Sequence, residues 1–496
     1  MRESQQAADI CLGGTITRIG QGSPAHVISQ QDPGAVMLSF RRSICAVIPL
    51  ALSFFTNLAS TSAEAWDLTE AAKPYSGATV NMACEAYAPC IAYQKLIPEF
   101  QKATGINVHV EAGDIGQIQQ QILTDALTGT QIYDLVQINP FSTGVWGGQK
   151  FATPVQPFLD DAKLRDPSFK IEDIVPALVT QMKYKGELIA MPYSFLPPFG
   201  IYRKDIAADP GEQAAFKAKF GYDTPFNGDK IVNVDDWQKW TDAASFFGRK
   251  AGEKLAGQTL DHPVYGTAAA FKRHLTVIFD YERMLLSMGG EMISADGKEG
   301  FSSPVAKKAL DTMLSWRAYS PPSYREYTWD EEYADFCAGN LFSVPSWADS
   351  TAFFEMPKEC PKVAGKVGYF LHPGNHKTVS EGHAFVIPKQ SQNKEAAFLL
   401  AQWLASKDVQ ERCEAFGCAT FRKDVLAQSK WDDSGPVQLF REMIAKNYLY
   451  PRPALPEWIE MQQVIMEHLS AAGADQEKPD VALNAIAEKA KEVMKK

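Results

Sequence analysis

From Gly77 to Ile138 the sequence alternates between two hydrophobic periods, and that alternation admits only a few folds. "ATVNMAC" reads as a strand, followed by "IAYQKLIPEFQKAT", where Ile91, Leu96, Ile97 and Phe100 fall near helical spacing and Gly105 supplies a stop. "INVHVEA" is the next strand. Asp114 then caps a helix over "IGQIQQQILTDALT", whose Ile115, Ile118, Ile122 and Leu123 share one face. Gly129 ends that helix and "YDLVQI" forms a third strand. Strand, helix, strand, helix, strand predicts an α/β fold with a parallel sheet, because parallel neighbours need a crossover between them. Ligands of such sheets gather at the carboxyl ends of the strands, where loops meet helix N-termini.

The rhythm changes at Gly186. "QMKYKGELIAMPY" predicts a hairpin across Lys185-Gly186, and Pro192, Pro197 and Pro198 mark a crossing into a second region. Its helices cover "DDWQKWTDAASFFG", with Trp237, Trp240, Ala244 and Phe247 on one side, and "LTVIFDYERMLLSMGG". Another is opened by Ser303-Pro304, a cap followed by proline at the first helical position. Strands "KVGYFLH" and "GHAFVIP" precede a long helix from about Asn393, and the tail from "PALPEWIEMQQVIMEHLSAAG" onward is helical.

Upstream, "SFRRSICAVIPLALSFFTNLASTSAEAW" (39–66) has the three parts of an export signal. Arg41 and Arg42 make a positive start, Ile44–Phe55 an apolar run, and Ala63-Glu64-Ala65 a small-x-small cleavage site, with Thr61-Ser62-Ala63 as a competitor. The run is shorter than the ~20 residues of a spanning helix. Residues 1–36 show no apolar periodicity and Met37 directly precedes the signal, so 37–65 is expected to be the signal peptide. Residues 1–36 are then a non-translated or disordered extension. Four basic residues (Arg2, Arg18, Arg41, Arg42) cancel four acidic ones (Glu3, Asp9, Asp32, Glu64), so the chain from Trp66 keeps the net charge of −10. That charge argues against nucleic-acid binding, which is driven by neutralising phosphates.

Cys11 and Cys45 precede Trp66, which leaves Cys84, Cys90, Cys337, Cys360, Cys413 and Cys418. Six cysteines allow fifteen pairings. Sequence proximity favours 84–90, 337–360 and 413–418, and an oxidising compartment makes disulfides the default. Zinc is the competing use, but there is no Cys-x-x-Cys and His is sparse. No metal or cofactor is expected.

Taken in order, several segments resemble the family 1 extracellular solute-binding proteins of bacterial ABC importers, in their sugar- and polyol-binding branch. They are "LIPEFQKATGINVHVE", "YKGELIAMPYSF", "GIYRKD", "SWRAYSPPSYREYTWDEEYADFCAGNLFSVPSW" and, most strongly, "GHAFVIPKQSQNKEAAFLLAQWLASKDVQ". The resemblance covers roughly residues 78–496. It implies a two-lobed periplasmic binding protein fold, with strands crossing between lobes that close over a ligand in the cleft. Lobe I is expected at 78–192 plus 366–420 and lobe II at 193–365 plus 421–496. It also implies a monomer that captures a solute in the periplasm and delivers it to the transmembrane subunits of a permease. No lipobox cysteine follows the apolar run, and Arg41-Arg42 leaves Sec and twin-arginine export both open.

A sugar or polyol needs an aromatic platform for its C–H faces and acceptors and donors for its hydroxyls. Trp347, in "SVPSWADST", follows a short apolar strand and is the expected platform, with Asp349 either a hydroxyl acceptor or a helix N-cap. Tyr193 lies at the lobe crossing, where the family often places a stacking residue. Asn139 and Phe141 follow the third strand, Asn139 also reading as an Asn-Pro turn. Glu85 and Tyr87 stand inside the 84–90 loop, and His383 follows Glu381-Gly382. Arg452, in "YPRPALPEW", could donate a fork of hydrogen bonds or form a surface ion pair. Trp329 and Glu331 are weaker, since a helix start explains them.

Arg452 is the one firm cation among these candidates, which favours a neutral ligand over a phosphate ester. A cationic solute such as a polyamine, facing Glu85, Asp349 and Glu381, is the alternative, as is a glycerol phosphate derivative. A secreted glycoside hydrolase would need two carboxylates flanking the scissile bond. The chain has carboxylates in plenty but no eightfold strand–helix repeat and no Gly-x-Ser-x-Gly, His-Glu-x-x-His or phosphate-loop pattern. A binding protein rather than an enzyme is therefore expected.

Overall fold

The structure is a computed structural model that describes residues 66–429 and 435–495. The expected extension (1–36), the signal (37–65), Cys11 and Cys45 lie outside the described residues.

Two sheets organise the chain. The first has five strands in the order Asn107–Gly113, Thr79–Glu85, Leu135–Ile138, Ala384–Val386, Met191–Pro192. The first three run parallel, with Thr79 opposite Asn107 and Met82 opposite Leu135, as the strand–helix alternation requires. The last two are antiparallel additions that arrive from the crossings. The helix Ala88–Thr104 stops at Gly105, which takes a φ of 70° that a β-carbon would disfavour. Asp114 caps Ile115–Thr128 by accepting from the amides of Gly116 and Gln117. The Lys185-Gly186 hairpin also forms, both residues having positive φ.

The second sheet is ordered Ser343–Trp347, Pro198–Arg203, Val367–Phe370, Ile231–Val232. Pro198–Arg203 is antiparallel to both neighbours, and Trp347 pairs with Pro198 at the strand end. The helix Leu275–Ser287 is the centre of this lobe, and it is buried all round from Thr276 to Ser287. The helices Pro304–Ser315 and Trp458–Gly473 pack against it. It therefore carries Asp280, Glu282 and Arg283 into the interior, where they need partners.

Three crossings join the lobes side by side. The amides of Tyr193 and Ser194 donate to the His383 carbonyl, and that of Leu196 to the Glu381 carbonyl at 2.9 Å. The amides of Thr378 and Ser380 donate to the carbonyls of Tyr448 and Tyr450. Val367–Phe370, grouped by sequence with the first lobe, pairs into the second sheet. Residues 421–422, grouped with the second, bond to the first: the Val175 amide donates to the Phe421 carbonyl, and the buried Arg422 holds Asp173. The long helix expected from Asn393 is two helices, Lys394–Leu404 and Lys407–Glu414, the second capped by Ser406. The three disulfides pair as sequence proximity suggested, Cys84–Cys90, Cys337–Cys360 and Cys413–Cys418.

The third crossing is seated closely on the first lobe. A β-carbon on Gly144 would lie 2.2 Å from the backbone of Leu455. Gly144→Ala should therefore destabilise the protein by roughly 1–3 kcal/mol, the usual cost of overpacking against backbone. A thermal melt with no ligand checks this, and an unchanged melting temperature would refute it.

Candidate functional site

The segment at the end of strand Thr79–Glu85 is closed by Cys84–Cys90 and turns two side chains, Glu85 and Tyr87, toward the crossings. Glu85 is 6 % exposed. Its amide donates to Gln137 Oε1 at 2.8 Å, and Gln119 Nε2 donates to its carboxylate at 3.4 Å. Tyr87 donates to Ser194 Oγ at 2.9 Å and lies 2.6 Å from His383 Nδ1. The other ring nitrogen of His383 is 3.9 Å from the Glu85 carboxylate. Burial pushes the His383 imidazole down to about 4, opposed by the charge of Asp349, so it is neutral at pH 7. Burial likewise raises the Glu85 carboxyl to about 7, against the hydrogen bonds from Gln137 and Gln119.

The second lobe supplies the facing half. Trp347 ends its strand half-buried, with its ring edge-on to Phe279 at 4.8 Å. Asp349 follows at the start of the short helix Ser350–Phe354, but its side chain makes no capping bond. It is near enough to feel both His383 and Glu85, and burial raises its carboxyl above the usual range. Glu85, Tyr87 and His383 thus cluster on the first lobe with Asp349 of the second near enough to act on their charges, while Trp347 touches Phe279 and Arg283 of its own lobe.

The remaining candidates are engaged by protein groups. Asn139 caps its own turn, accepting from the Ser142 amide and hydroxyl at 3.1 and 3.0 Å. Tyr193 is fully buried, edge-on to Phe385 at 4.6 Å and to Tyr93 at 5.3 Å, as a layer beneath Tyr87 and His383. Phe141 is stacked on Trp458 at 4.3 Å and capped by the Arg452 guanidinium at 3.9 Å, which occupies its two faces. Glu331 closes a capping box with Thr328, the helix start that competed with a ligand role.

Arg452 forms a buried ion pair, not the surface pair weighed against ligand binding. It grips Glu282 of the central helix, with Nη2 2.6 Å from the carboxylate, and its Nη1 holds Glu381 on the second crossing. Glu282 and Glu381 are legible only in three dimensions, because no sequence motif joins positions 170 and 71 residues away from Arg452. Sequence reading also missed Ser194, Phe279 and the pair Asp280–Arg283. Helical spacing of charges inside an apolar run was the available signal. Two cavities lie elsewhere, one of about 960 Å³ beside Trp237 and Asn375 and one of about 380 Å³ beside Lys170 and Arg422. Neither includes a site candidate.

Comparisons with known proteins bear on the family and the fold. Residues 91–411 match the family model described as bacterial extracellular solute-binding protein. The chain is 22 % identical over 369 residues to an erythritol/L-threitol-binding protein of Mycolicibacterium smegmatis, covering 72 % of each. It is also 22 % identical to a mannitol-binding protein of Pseudomonas aeruginosa, across 58 % of this chain and 60 % of that one. Among solved structures, an ABC transporter solute-binding protein from Agrobacterium radiobacter in complex with ribitol superposes with a TM-score of 0.69 at 23 % identity, over 85 % of this chain and 100 % of that chain. One from Agrobacterium vitis with bound D-mannitol gives 0.65 at 23 % identity, over 84 % and 98 %.

Two outcomes follow from the buried charges. Arg452→Met leaves two buried carboxylates unpaired and should cost roughly 3–5 kcal/mol at pH 8, measured by denaturant unfolding. The second concerns Glu85, whose folded value lies above its unfolded 4.5. Its stabilising contribution is complete below the unfolded value and is lost as pH rises through about 7. Glu85→Gln, which never ionises, should therefore gain on the wild type by up to roughly 2–3 kcal/mol between pH 5 and pH 8. A stability difference independent of pH would show that the Glu85 carboxyl is not perturbed.

Proposed function

The chain belongs to the bacterial extracellular solute-binding proteins, and on that premise we propose that it captures a neutral sugar alcohol or small sugar in the periplasm and delivers it to the permease of an ABC importer. One observation supports the reading: Tyr87, His383 and Glu85 cluster on the first lobe, and Asp349 of the second, two residues beyond Trp347, is near enough for its charge to act on His383 and for Glu85 to act on it. An aromatic wall beside carboxylates and a neutral imidazole suits a solute with apolar C–H faces and many hydroxyls. The ligands of the relatives and structural neighbours, erythritol or L-threitol, mannitol and ribitol, are of that class.

The charges point the same way. Arg283 and Arg452 are both held by carboxylates, so neither is a free cation for a phosphate. Phe141 and Arg452 then act as fasteners near the hinge, while Glu85, Tyr87, His383, Trp347 and Asp349 face the solute.

A thermal-shift screen of alditols, monosaccharides, disaccharides, polyamines and glycerol phosphodiesters tests this. A ligand at a hundredfold excess over its Kd should add about 2.7 kcal/mol to the folded state. Trp347→Ala should weaken that ligand at least ~10-fold, about 1.4 kcal/mol. A shift confined to polyamines or phosphate esters would overturn the ligand class, and silence across the panel would overturn the receptor reading.

A further inference from the structure

The central helix of the second lobe carries polar groups that the site described so far does not use. Asp280 and Arg283 lie one turn apart and pair at 2.5 Å, and they are 0 % and 2 % exposed. Glu332, on the helix Trp329–Cys337, is 1 % exposed and close enough to feel both. Three of their atoms have no hydrogen-bond partner: Asp280 Oδ2, Arg283 Nη1 and Glu332 Oε1. An unmet buried polar atom costs about 1–3 kcal/mol, more when charged, so three in one place are expensive. A protein that keeps such a cluster has a reason beyond stability.

The cluster borders the platform. The Arg283 guanidinium lies 5.6 Å from the centre of the Trp347 ring, whose edge contact is Phe279 on the same helix. The helix that carries Glu332 starts at Trp329, whose amide donates to Thr276 Oγ1 at 3.3 Å, tying it to the first turn of the central helix. An acceptor, a donor and an acceptor thus stand beside an aromatic ring. Two adjacent hydroxyls on a carbon chain match that set, since each hydroxyl both donates and accepts.

We propose that Asp280, Arg283 and Glu332 form the polar floor of the ligand site on the second lobe and select solutes carrying a vicinal diol next to the carbons stacked on Trp347. One hydroxyl donates to Asp280 Oδ2 and accepts from Arg283 Nη1, and its neighbour donates to Glu332 Oε1. The inference rests on the polyol reading above and narrows it. Burial raises both carboxyls, and Glu332 is raised further by the charge of Asp280. A hydroxyl donor relieves that cost, because it hydrogen-bonds the carboxylate without adding charge. The floor was not anticipated from the sequence, where "FDYERMLL" reads as a helix interior.

Calorimetric titration of the purified protein with erythritol, ribitol and D-mannitol, and with the deoxy analogue of whichever binds, provides the test. Asp280→Asn and Glu332→Gln keep side-chain shape, and each should weaken the binding alditol roughly 10- to 100-fold, as a buried hydrogen bond left unmade does. The analogue lacking one hydroxyl of the diol should lose a similar factor on the wild type. It should lose much less on Glu332→Gln, a non-additivity that a merely structural role would not produce. Because the deoxy comparison needs no variant, a substitution that prevents folding does not remove the test. Wild-type affinity in both folded variants, or equal affinity for alditol and deoxy analogue, overturns the floor while leaving the receptor intact. A wild type that binds no polyol at all overturns both.

Discussion

The two lobes are fastened by one side chain. Arg452 stands on the third crossing and reaches Glu381 on the second crossing and Glu282 in the central helix. Its face lies over Phe141, which the first lobe extends from the end of its third parallel strand. Charges this deep are costly to bring out of water and tolerable only when every one is paired. Three chain segments far apart in sequence must therefore arrive together before any of them can be buried. That condition sets the register of the crossings, and with it the position of His383, two residues beyond Glu381, and of Tyr193 and Ser194, whose amides donate to the His383 carbonyl.

Beyond this fastening, the site is an arrangement of groups whose burial opposes their ordinary ionisation. The imidazole of His383 is driven toward neutrality and the carboxyls of Glu85 and Asp349 toward their protonated forms. A set of buried donors and acceptors of this kind suits hydroxyls, which satisfy both, rather than a phosphate, which would need unspent cations. The disulfide at Cys84–Cys90 fits the same logic by holding Glu85 and Tyr87 in a short loop.

Much of the fold was legible because its signals are local. Gly105 and Gly129 stop helices with positive φ, and Asp114 and Ser303 cap them, as their positions in sequence predict. The lobe to which "KVGYFLH" belongs was not legible, because an apolar strand carries no address and its partner is set by pairing with Pro198–Arg203. The site divides in the same way. Trp347 and Glu85 could be proposed from sequence because both stand at strand ends, where loops that hold ligands begin. Arg452 could be found as a residue but not as a role, since its partners are 170 and 71 residues away. Asp280, Arg283 and Glu332 were hidden inside helices, where charge normally means a solvated face.

The central claim is that one ligand is held by both lobes at once, between Glu85, Tyr87 and His383 on one side and Trp347 and Asp349 on the other. Hydrogen–deuterium exchange on the protein with and without its alditol tests it most directly. The account predicts that peptides spanning 84–90, 343–351 and 381–384 gain protection together on adding ligand. Protection confined to one lobe, or to residues around Trp237 and Asn375 where the larger cavity lies, would contradict it.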